Sequence, residues 1–157
     1  PFQVITWKDA FHTQSRTALN LWLMSLKPEN PMWINPVDAA KVGVVSGDEV
    51  KAKSPTSKSS EVNPNNAGDG WYTFKVKVTS RIRPGVVAVC HSYGRWAASS
   101  RPWYVDGKAQ YYDERIGVGR QMNPLILADP VLKDIVVMDP IGGGTMFYGT
   151  PVKIEKL

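Results

Sequence analysis

Short runs in which apolar and polar residues alternate are the feature that most constrains the fold of this chain. Such runs occupy residues 49–53, 71–79 and 150–156, and loops rich in Pro, Gly, Asn and Ser lie among them. An alternation with a period of two is typical of a half-buried β-strand and does not fit a helix. The sequence therefore predicts a mainly β fold made of several short strands.

One short helix and one buried strand are predicted within this β pattern. Asn35 is a favoured N-cap, Pro36 suits the first helical position, and Asp38 lies near the positive N-terminal end of the helix. Gly43 is expected to end that helix after about two turns. The apolar run Val86–Cys90 is predicted to be a strand with both faces buried.

Size and composition favour a single domain over residues 1–157, with a mobile surface loop at about 54–70. The chain has 157 residues, of which 43% are hydrophobic, and this is enough for one core. No run approaches the length of a membrane span, and nothing resembles a signal peptide. The net charge of +5 fits either a slightly basic surface or a positive rim that faces phosphates.

Cysteine and histidine are too scarce for a metal or redox centre built within this chain. Cys90 is the only cysteine, which excludes an internal disulfide, a CxxC metal site and an iron–sulfur cluster. Its apolar neighbours indicate a buried structural thiol. His12 and His91 are the only histidines, and no spacing with Asp or Glu suggests a metal site. We therefore predict no metal ligand and no catalytic acid, base or nucleophile in this chain.

The first of three candidate binding segments is an uninterrupted polar stretch near the N-terminus. It consists of His12, Thr13, Gln14, Ser15, Arg16 and Thr17. Backbone amides together with hydroxyl, amide and guanidinium groups could hold a phosphate or a pterin edge. The alternative is an ordinary polar turn.

The predicted helix start and the end of the buried strand are the other two candidate segments. Capping explains Asn35 and Asp38, but the same helix N-terminus could face a phosphate, and a carboxylate there could accept from a guanine-type N–H pair. The stretch that follows the buried strand could form a binding site. Alternatively, it could lie at the rim of the fold with its polar groups already hydrogen-bonded. It consists of His91, Ser92, Tyr93 and Gly94.

The order and spacing of these motifs resemble the C-terminal molybdopterin-dinucleotide-binding domain of the dimethyl-sulfoxide-reductase family. The resemblance spans essentially the whole chain. It rests on residues 12–17, 33–40, 43, 47–50, 82–87 and 91–96, on Asn123, and on residues 139–143. Within the family, the stretches His91–Gly94 and Glu114–Gly117 look most similar to the arsenate, tetrathionate and thiosulfate or polysulfide reductase branch.

The resemblance implies a double-psi β-barrel, which is a closed six-stranded sheet, with short helices and long ordered loops. It also implies binding of a bis(molybdopterin guanine dinucleotide) cofactor that carries molybdenum or tungsten. By this resemblance, residues 12–17 would line the pterin and pyrophosphate, and Asn35 and Asp38 would approach a guanine nucleotide. Residues 91–94 and Asn123 would close on the pterin nearest the metal.

The resemblance further implies that the chain is a fragment of a larger enzyme, that it binds the cofactor, and that it has no reductase activity alone. In this family the metal ligand and the iron–sulfur cysteines lie in other domains of a larger terminal reductase of an oxyanion or sulfur compound. The implied partners are the remaining domains of the catalytic subunit together with an iron–sulfur electron-transfer subunit, with no nucleic acid and no direct membrane insertion. The implied location is periplasmic, and otherwise cytoplasmic, with a role in anaerobic respiration.

Two alternatives remain open at this point. The chain could be a stand-alone small subunit of the same barrel type that caps a separate catalytic subunit. It could instead be an unrelated basic β-barrel that binds nucleic acid, since its six Trp and six Tyr residues could stack on bases. Most of these aromatic residues lie at strand positions or beside Pro and Gly, where core packing is the simpler explanation.

Overall fold

A closed barrel of short strands forms the body of the domain. The computed structural model describes residues 1–60, 63–96 and 100–157. Its strands are β1 (Phe2–Trp7), β2 (Met32–Ile34), β3 (Glu49–Lys53), β4 (Tyr72–Val78), β5 (Val86–Cys90), β6 (Tyr104–Val105), β7 (Lys108–Ala109) and β8 (Thr150–Lys156). The helices are α1 (Leu21–Leu26) and α2 (Pro36–Val42), and short 3-10 turns span Gln14–Arg16, Glu114–Gly117 and Asn123–Leu125.

Six of these strands close on one another in the order β1-β5-β2-β4-β3-β8, while β6 and β7 form a separate hairpin. The pairs β1/β5 and β2/β4 are parallel, and the other pairs around the barrel are antiparallel. Closure leaves no unpaired sheet edge on the barrel. The predicted mainly β, six-stranded double-psi barrel with short helices and long loops is confirmed.

Alternate residues of the strands fill the barrel interior, as the sequence pattern predicts. Val50, Phe74 and Val87 are completely buried, whereas Lys75 and Lys77 on the other face of β4 are exposed. The predicted strand at 71–79 is confirmed with bounds at Tyr72 and Val78. Burial of this apolar face against the neighbouring strands is the main stabilising contribution to the barrel.

The sequence pattern did not indicate strand β2. It has three residues, lies between Pro31 and Asn35, and pairs in parallel with β4 and antiparallel with β5. Its partners lie far along the chain, so no local period marks it. Just before it along the chain, the apolar segment Leu21–Leu26 forms α1, with Asn20 as its N-cap.

Helix α2 forms as predicted, and two buried polar side chains tie its start to the connection between β4 and β5. The Asn35 side chain accepts from the Val37 N–H at 3.0 Å as an N-cap, and its amide donates to the Ile82 carbonyl at 2.7 Å. The Asp38 carboxylate, only 2% exposed, accepts from the Gly85 N–H at 2.5 Å. Both side chains therefore hold α2 against the turn that enters β5.

The described part of the loop predicted at about 54–70 is anchored to the barrel. The Ser57 hydroxyl donates to the Gly70 carbonyl at 2.8 Å, and the Tyr72 hydroxyl donates to the Lys58 carbonyl at 2.6 Å. Asn63 and Asn65 are buried within the loop. These bonds fix the loop beside β4.

Residues 127–146 form an irregular arm with two matching turns. Each turn begins with an Asp, Asp129 or Asp139, whose carboxylate accepts from the backbone N–H groups two and three residues later. The residue four positions after each Asp returns its N–H to the Asp carbonyl and has a positive φ. The tips of the turns expose aliphatic side chains, which are Val131 (80%), Leu132 (63%) and Ile141 (96%).

Candidate functional site

A pocket of about 370 Å³ lies where β5 ends. Four separate parts of the chain form its walls: the 3-10 turn after β1, the segment 90–95 at the end of β5, the segment 120–123, and Phe147, which directly follows the arm. The lining residues are Gln14, Cys90, His91, Ser92, Tyr93, Arg95, Arg120, Gln121, Met122, Asn123 and Phe147. The fold thus brings together polar groups that lie more than a hundred residues apart in the sequence.

The pocket includes part of the predicted cofactor-binding set. Predicted residues that line it are Gln14, His91, Ser92, Tyr93 and Asn123. Predicted residues outside its lining are His12, Thr13, Arg16, Thr17, Asn35, Asp38 and Gly94. The side chain of Ser15 lies outside the described part of the structure. Cofactor contacts of all these residues stay predictions.

His12 and Thr17 do not line the pocket, but they form contacts that lead to Tyr93, a residue of its wall. The Thr17 hydroxyl lies 3.1 Å from His12 Nδ1 and accepts from the Thr13 N–H at 2.9 Å, so it closes the 12–17 turn. The His12 ring is 6% exposed and packs edge-on against Tyr93, with the ring centroids 5.2 Å apart. The Tyr93 hydroxyl in turn donates to the Lys27 carbonyl at 2.9 Å. The polar run therefore orients the Tyr93 ring in the pocket wall.

Gln121 and Arg120 are lining residues that the sequence reasoning missed. Gln121 Oε1 and Arg120 Nε are both buried and have no hydrogen-bond partner among the described residues. A buried polar atom without a partner is costly, and it indicates a group that a ligand or water satisfies. The available signal was weak: two long polar side chains directly after Gly119, in a loop with no regular pattern.

Two residues of this pocket have a strained backbone. Gln14 and Ser92 both line it and have positive φ angles of 49° and 88°. A non-glycine residue in that region costs on the order of 1–3 kcal/mol and is frequent at ligand sites. In both cases the strained backbone directs a polar residue to the pocket, in agreement with a binding role.

Burial lowers the pKa of both histidines of the chain. For His91, burial is the larger cause and the positive charge of Lys8 the smaller. For His12, burial again dominates, and the neighbouring Asp9 carboxylate only partly offsets it. His91 also packs edge-on against Phe147, with the ring centroids 5.3 Å apart. At neutral pH the two rings are therefore uncharged hydrogen-bonding groups and not cations.

We expect acidification below about pH 7 to destabilise the domain through these two histidines. Because their pKa is lower in the folded state, the unfolded chain binds more protons in this range, so stability is highest above about pH 6.5 and falls as the pH drops. Urea unfolding at about pH 7.5 and pH 5.5 measures the loss, and His12→Gln should reduce it. An unchanged pH dependence in His12→Gln would show that His12 does not contribute.

Cys90 is buried, and this confirms the predicted structural thiol. It is 2% exposed, and burial raises its pKa to about 11, so the thiolate is scarce at neutral pH. Within the described residues, no group of three or more His, Cys, Asp or Glu side chains is arranged to hold a metal ion. No helix among those residues has the length and apolar character needed to cross a membrane.

Comparison with known families and proteins agrees with the resemblance noted in the sequence. The family described as "Molydopterin dinucleotide binding domain" matches residues 2–63, which contain the 12–17 turn and the start of α2. A selenate reductase subunit of Mesobacillus selenatarsenatis is 39% identical over 99% of this chain. A tetrathionate reductase subunit of Salmonella typhimurium is 28% identical over 100% of the chain, as is the molybdopterin-containing subunit of arsenate respiratory reductase from Shewanella sp..

The chain spans only a small part of each of these relatives. It covers 15% of the selenate reductase polypeptide, 14% of the tetrathionate reductase polypeptide and 16% of the arsenate reductase polypeptide. Among solved structures, acetylene hydratase from Pelobacter acetylenicus superposes on the whole chain with a TM-score of 0.60 and 15% sequence identity, and the match covers 18% of that protein. At this level of identity the structural match supports the fold alone.

Proposed function

The chain belongs to the molybdopterin dinucleotide-binding domain family, and from this we propose that it holds a molybdopterin guanine dinucleotide cofactor as the C-terminal domain of a larger molybdenum or tungsten oxidoreductase. The observation that carries the proposal is the pocket after β5, with its unpartnered polar atoms and strained backbone. The sequence match covers nearly the whole chain in each of the relatives described above.

The residues of the pocket fit the cofactor chemically. Gln121 Oε1 is a buried acceptor without a partner among the described residues, and it suits an N–H group on the edge of a pterin. Arg120 Nε is likewise a buried donor without a partner among the described residues, while the other two guanidinium nitrogens donate to the Gly119 carbonyl at 3.2 Å and pair with Glu49 at 3.5 Å. A guanidinium N–H of this kind suits a pterin carbonyl or phosphate oxygen. His91, Ser92 and Asn123 add further polar groups to the lining.

The role of this chain is binding and orientation. When bound, the cofactor supplies the redox-active metal. The side chains of Gln121 and Arg120 would bind its polar edges, and the Tyr93 and Phe147 side chains lie beside them in the lining. Neutral His91 offers one hydrogen-bond donor and one acceptor. A net charge of +5 favours a cofactor that carries phosphates.

We further propose that the complete enzyme is a terminal reductase of an oxyanion or a sulfur compound. The relatives named selenate, tetrathionate and arsenate reductase support this substrate class. A redox partner in the form of an iron–sulfur electron-transfer subunit, together with a periplasmic location, belongs to the same proposal. Both rest on the resemblance to that branch of the family.

Exposed apolar surface supports contact with the remaining domains of a catalytic subunit. The aliphatic tips of the two turns in the arm are exposed, and so is Trp22 of α1 at 86%. Exposed apolar residues of this size are typical of a surface that another domain covers. The chain covers only 14–16% of the length of these relatives, so such domains exist in them.

Reading the coding sequence on the N-terminal side of Pro1 tests the proposal. We expect several hundred further residues with a four-cysteine cluster motif near their start and a later Cys, Ser or selenocysteine that ligates the metal. A twin-arginine leader there would support the periplasmic location. A start codon within a few residues of Pro1 would contradict the proposal and indicate a stand-alone small subunit instead.

A further inference from the structure

Asn30 is a buried polar residue between α1 and β2 that makes three backbone hydrogen bonds. Its amide donates to the Cys90 carbonyl at 2.7 Å and to the Arg120 carbonyl at 2.8 Å. Its Oδ1 accepts from the Arg120 N–H at 2.7 Å. Asn30 is 2% exposed, and its bond to Cys90 is buried, whereas its two bonds to Arg120 are partly buried.

These three bonds join two opposing segments of the candidate pocket. Cys90 is the last residue of β5 and directly precedes His91 and Ser92 in the lining. Arg120 directly precedes Gln121 in the other segment. The two segments lie about thirty residues apart along the chain, so their separation in space depends on contacts of this kind.

We propose that Asn30 is the positioning residue of the pocket and sets the distance between its two polar walls; this rests on the proposed function. Asn30 does not line the pocket, and it acts through Cys90 and Arg120. Residues that orient the groups around a ligand commonly decide binding strength although they do not touch the ligand.

Gly119 approaches Asn30 and Tyr93 so closely that it has no room for a side chain. A Cβ atom at Gly119, which has φ +88°, would lie 2.6 Å from Asn30 Oδ1 and 2.8 Å from Tyr93 Cβ. The Gly94 N–H donates to the Val118 carbonyl at 3.1 Å, which joins the same two segments a second time. The Asn30 amide group donates to the carbonyls of both segments, and its oxygen accepts from the Arg120 N–H. It thereby satisfies the backbone groups that the close approach of the two segments would otherwise leave unpaired.

An apolar side chain of the same size would leave the backbone groups of Cys90 and Arg120 unpaired. Unpaired buried groups recover their bonds only if water enters or the segments separate, and either change moves Gln121 and Arg120 relative to His91. The expected consequence is weaker retention of the cofactor, beyond what a general loss of stability causes.

The test compares Asn30→Leu with Asn63→Leu in the full polypeptide of which this chain is a part. Asn63 is a matched control because it is 3% exposed, its side chain makes one local bond among the described residues by accepting from the Asn65 N–H at 3.0 Å, and it does not line the pocket. Each protein is purified, its melting temperature is measured, and the metal and the acid-released guanine nucleotide per polypeptide are followed during dialysis.

We expect Asn30→Leu to lose the cofactor at least about tenfold faster than Asn63→Leu at a similar melting temperature. Equal retention in the two variants would overturn the proposal for Asn30 and leave the proposed function intact. A wild-type polypeptide without metal and nucleotide would overturn both.

A second variant keeps the test decisive if Asn30→Leu does not fold. Asn30→Asp retains the acceptor for the Arg120 N–H and loses both amide donors, so it disturbs the same contacts with less change in shape. We expect its cofactor loss to lie between wild type and Asn30→Leu. Retention equal to wild type in Asn30→Asp would contradict the positioning role.

Discussion

Gly94→Ala should destabilise the domain by about 3 kcal/mol or more, which for a chain of this size lowers the melting temperature by about 6–12 °C. Gly94 has φ +72°, and a Cβ atom there would collide with the backbone of Gln121 and lie 2.5 Å from the Arg120 carbonyl carbon. The colliding atoms belong to the main chain, so relief requires the pocket walls to separate. Thermal unfolding measures the stability loss.

Gly107→Ala is the matched control for this prediction. Gly107 has φ +73° in the β6–β7 turn, but no atom lies within 4 Å of a Cβ added there. The control therefore measures the conformational strain alone, which is about 1 kcal/mol. If the two variants lose the same stability, a Cβ atom at position 94 does not collide with the backbone of Gln121, and the prediction is wrong.

Asp38→Ala should cost about 2–3 kcal/mol, because it leaves the Gly85 N–H without its partner and removes a buried negative charge from the start of α2. Chemical denaturation measures the loss. Asp38→Asn should cost less, since its amide oxygen can still accept from Gly85.

Asp139→Ala is the control for Asp38, because the Asp139 carboxylate also accepts from backbone N–H groups but lies exposed in the arm. Water replaces those bonds, so we expect a loss of at most about 1 kcal/mol. A loss from Asp38→Ala no larger than this would contradict a stabilising tie between α2 and the β5 turn.

The same variants address the predicted contact of Asn35 and Asp38 with a guanine nucleotide. The hydrogen bonds of both side chains to Val37, Ile82 and Gly85 account for their presence in the fold. If cofactor retention across these variants follows stability alone, the predicted nucleotide contact is wrong. A loss of retention greater than the loss of stability would support it.

Local patterns were sufficient to predict much of the barrel. The alternation in β3, β4 and β8 and the cap of α2 are properties of a few consecutive residues, and their physical causes act locally. Strand β2 escaped prediction because its three residues form a strand only through pairing with β4 and β5. The parallel pairing of β1 with β5 is likewise a long-range property.

The candidate site was predictable only in part for the same reason. His91 and Ser92 were identified because they leave a recognisable buried strand, and Gln14 because it lies in a polar run. Arg120 and Gln121 have no such local context, and their importance depends on burial without a hydrogen-bond partner among the described residues. Asn30 looks like an ordinary loop residue in the sequence, and its three bonds reach residues 60 and 90 positions away.

The most direct test of the central claim is the metal and guanine nucleotide content of the full polypeptide, measured for wild type, Gln121→Leu and Gln110→Leu. Gln110 is the control because its side chain bonds only to the nearby Lys108 carbonyl, among the described contacts, and does not line the pocket. We predict molybdenum or tungsten together with guanine nucleotide in wild type and Gln110→Leu, and a clear loss of both in Gln121→Leu. A wild-type polypeptide without metal and nucleotide, or undiminished content in Gln121→Leu, would contradict the account.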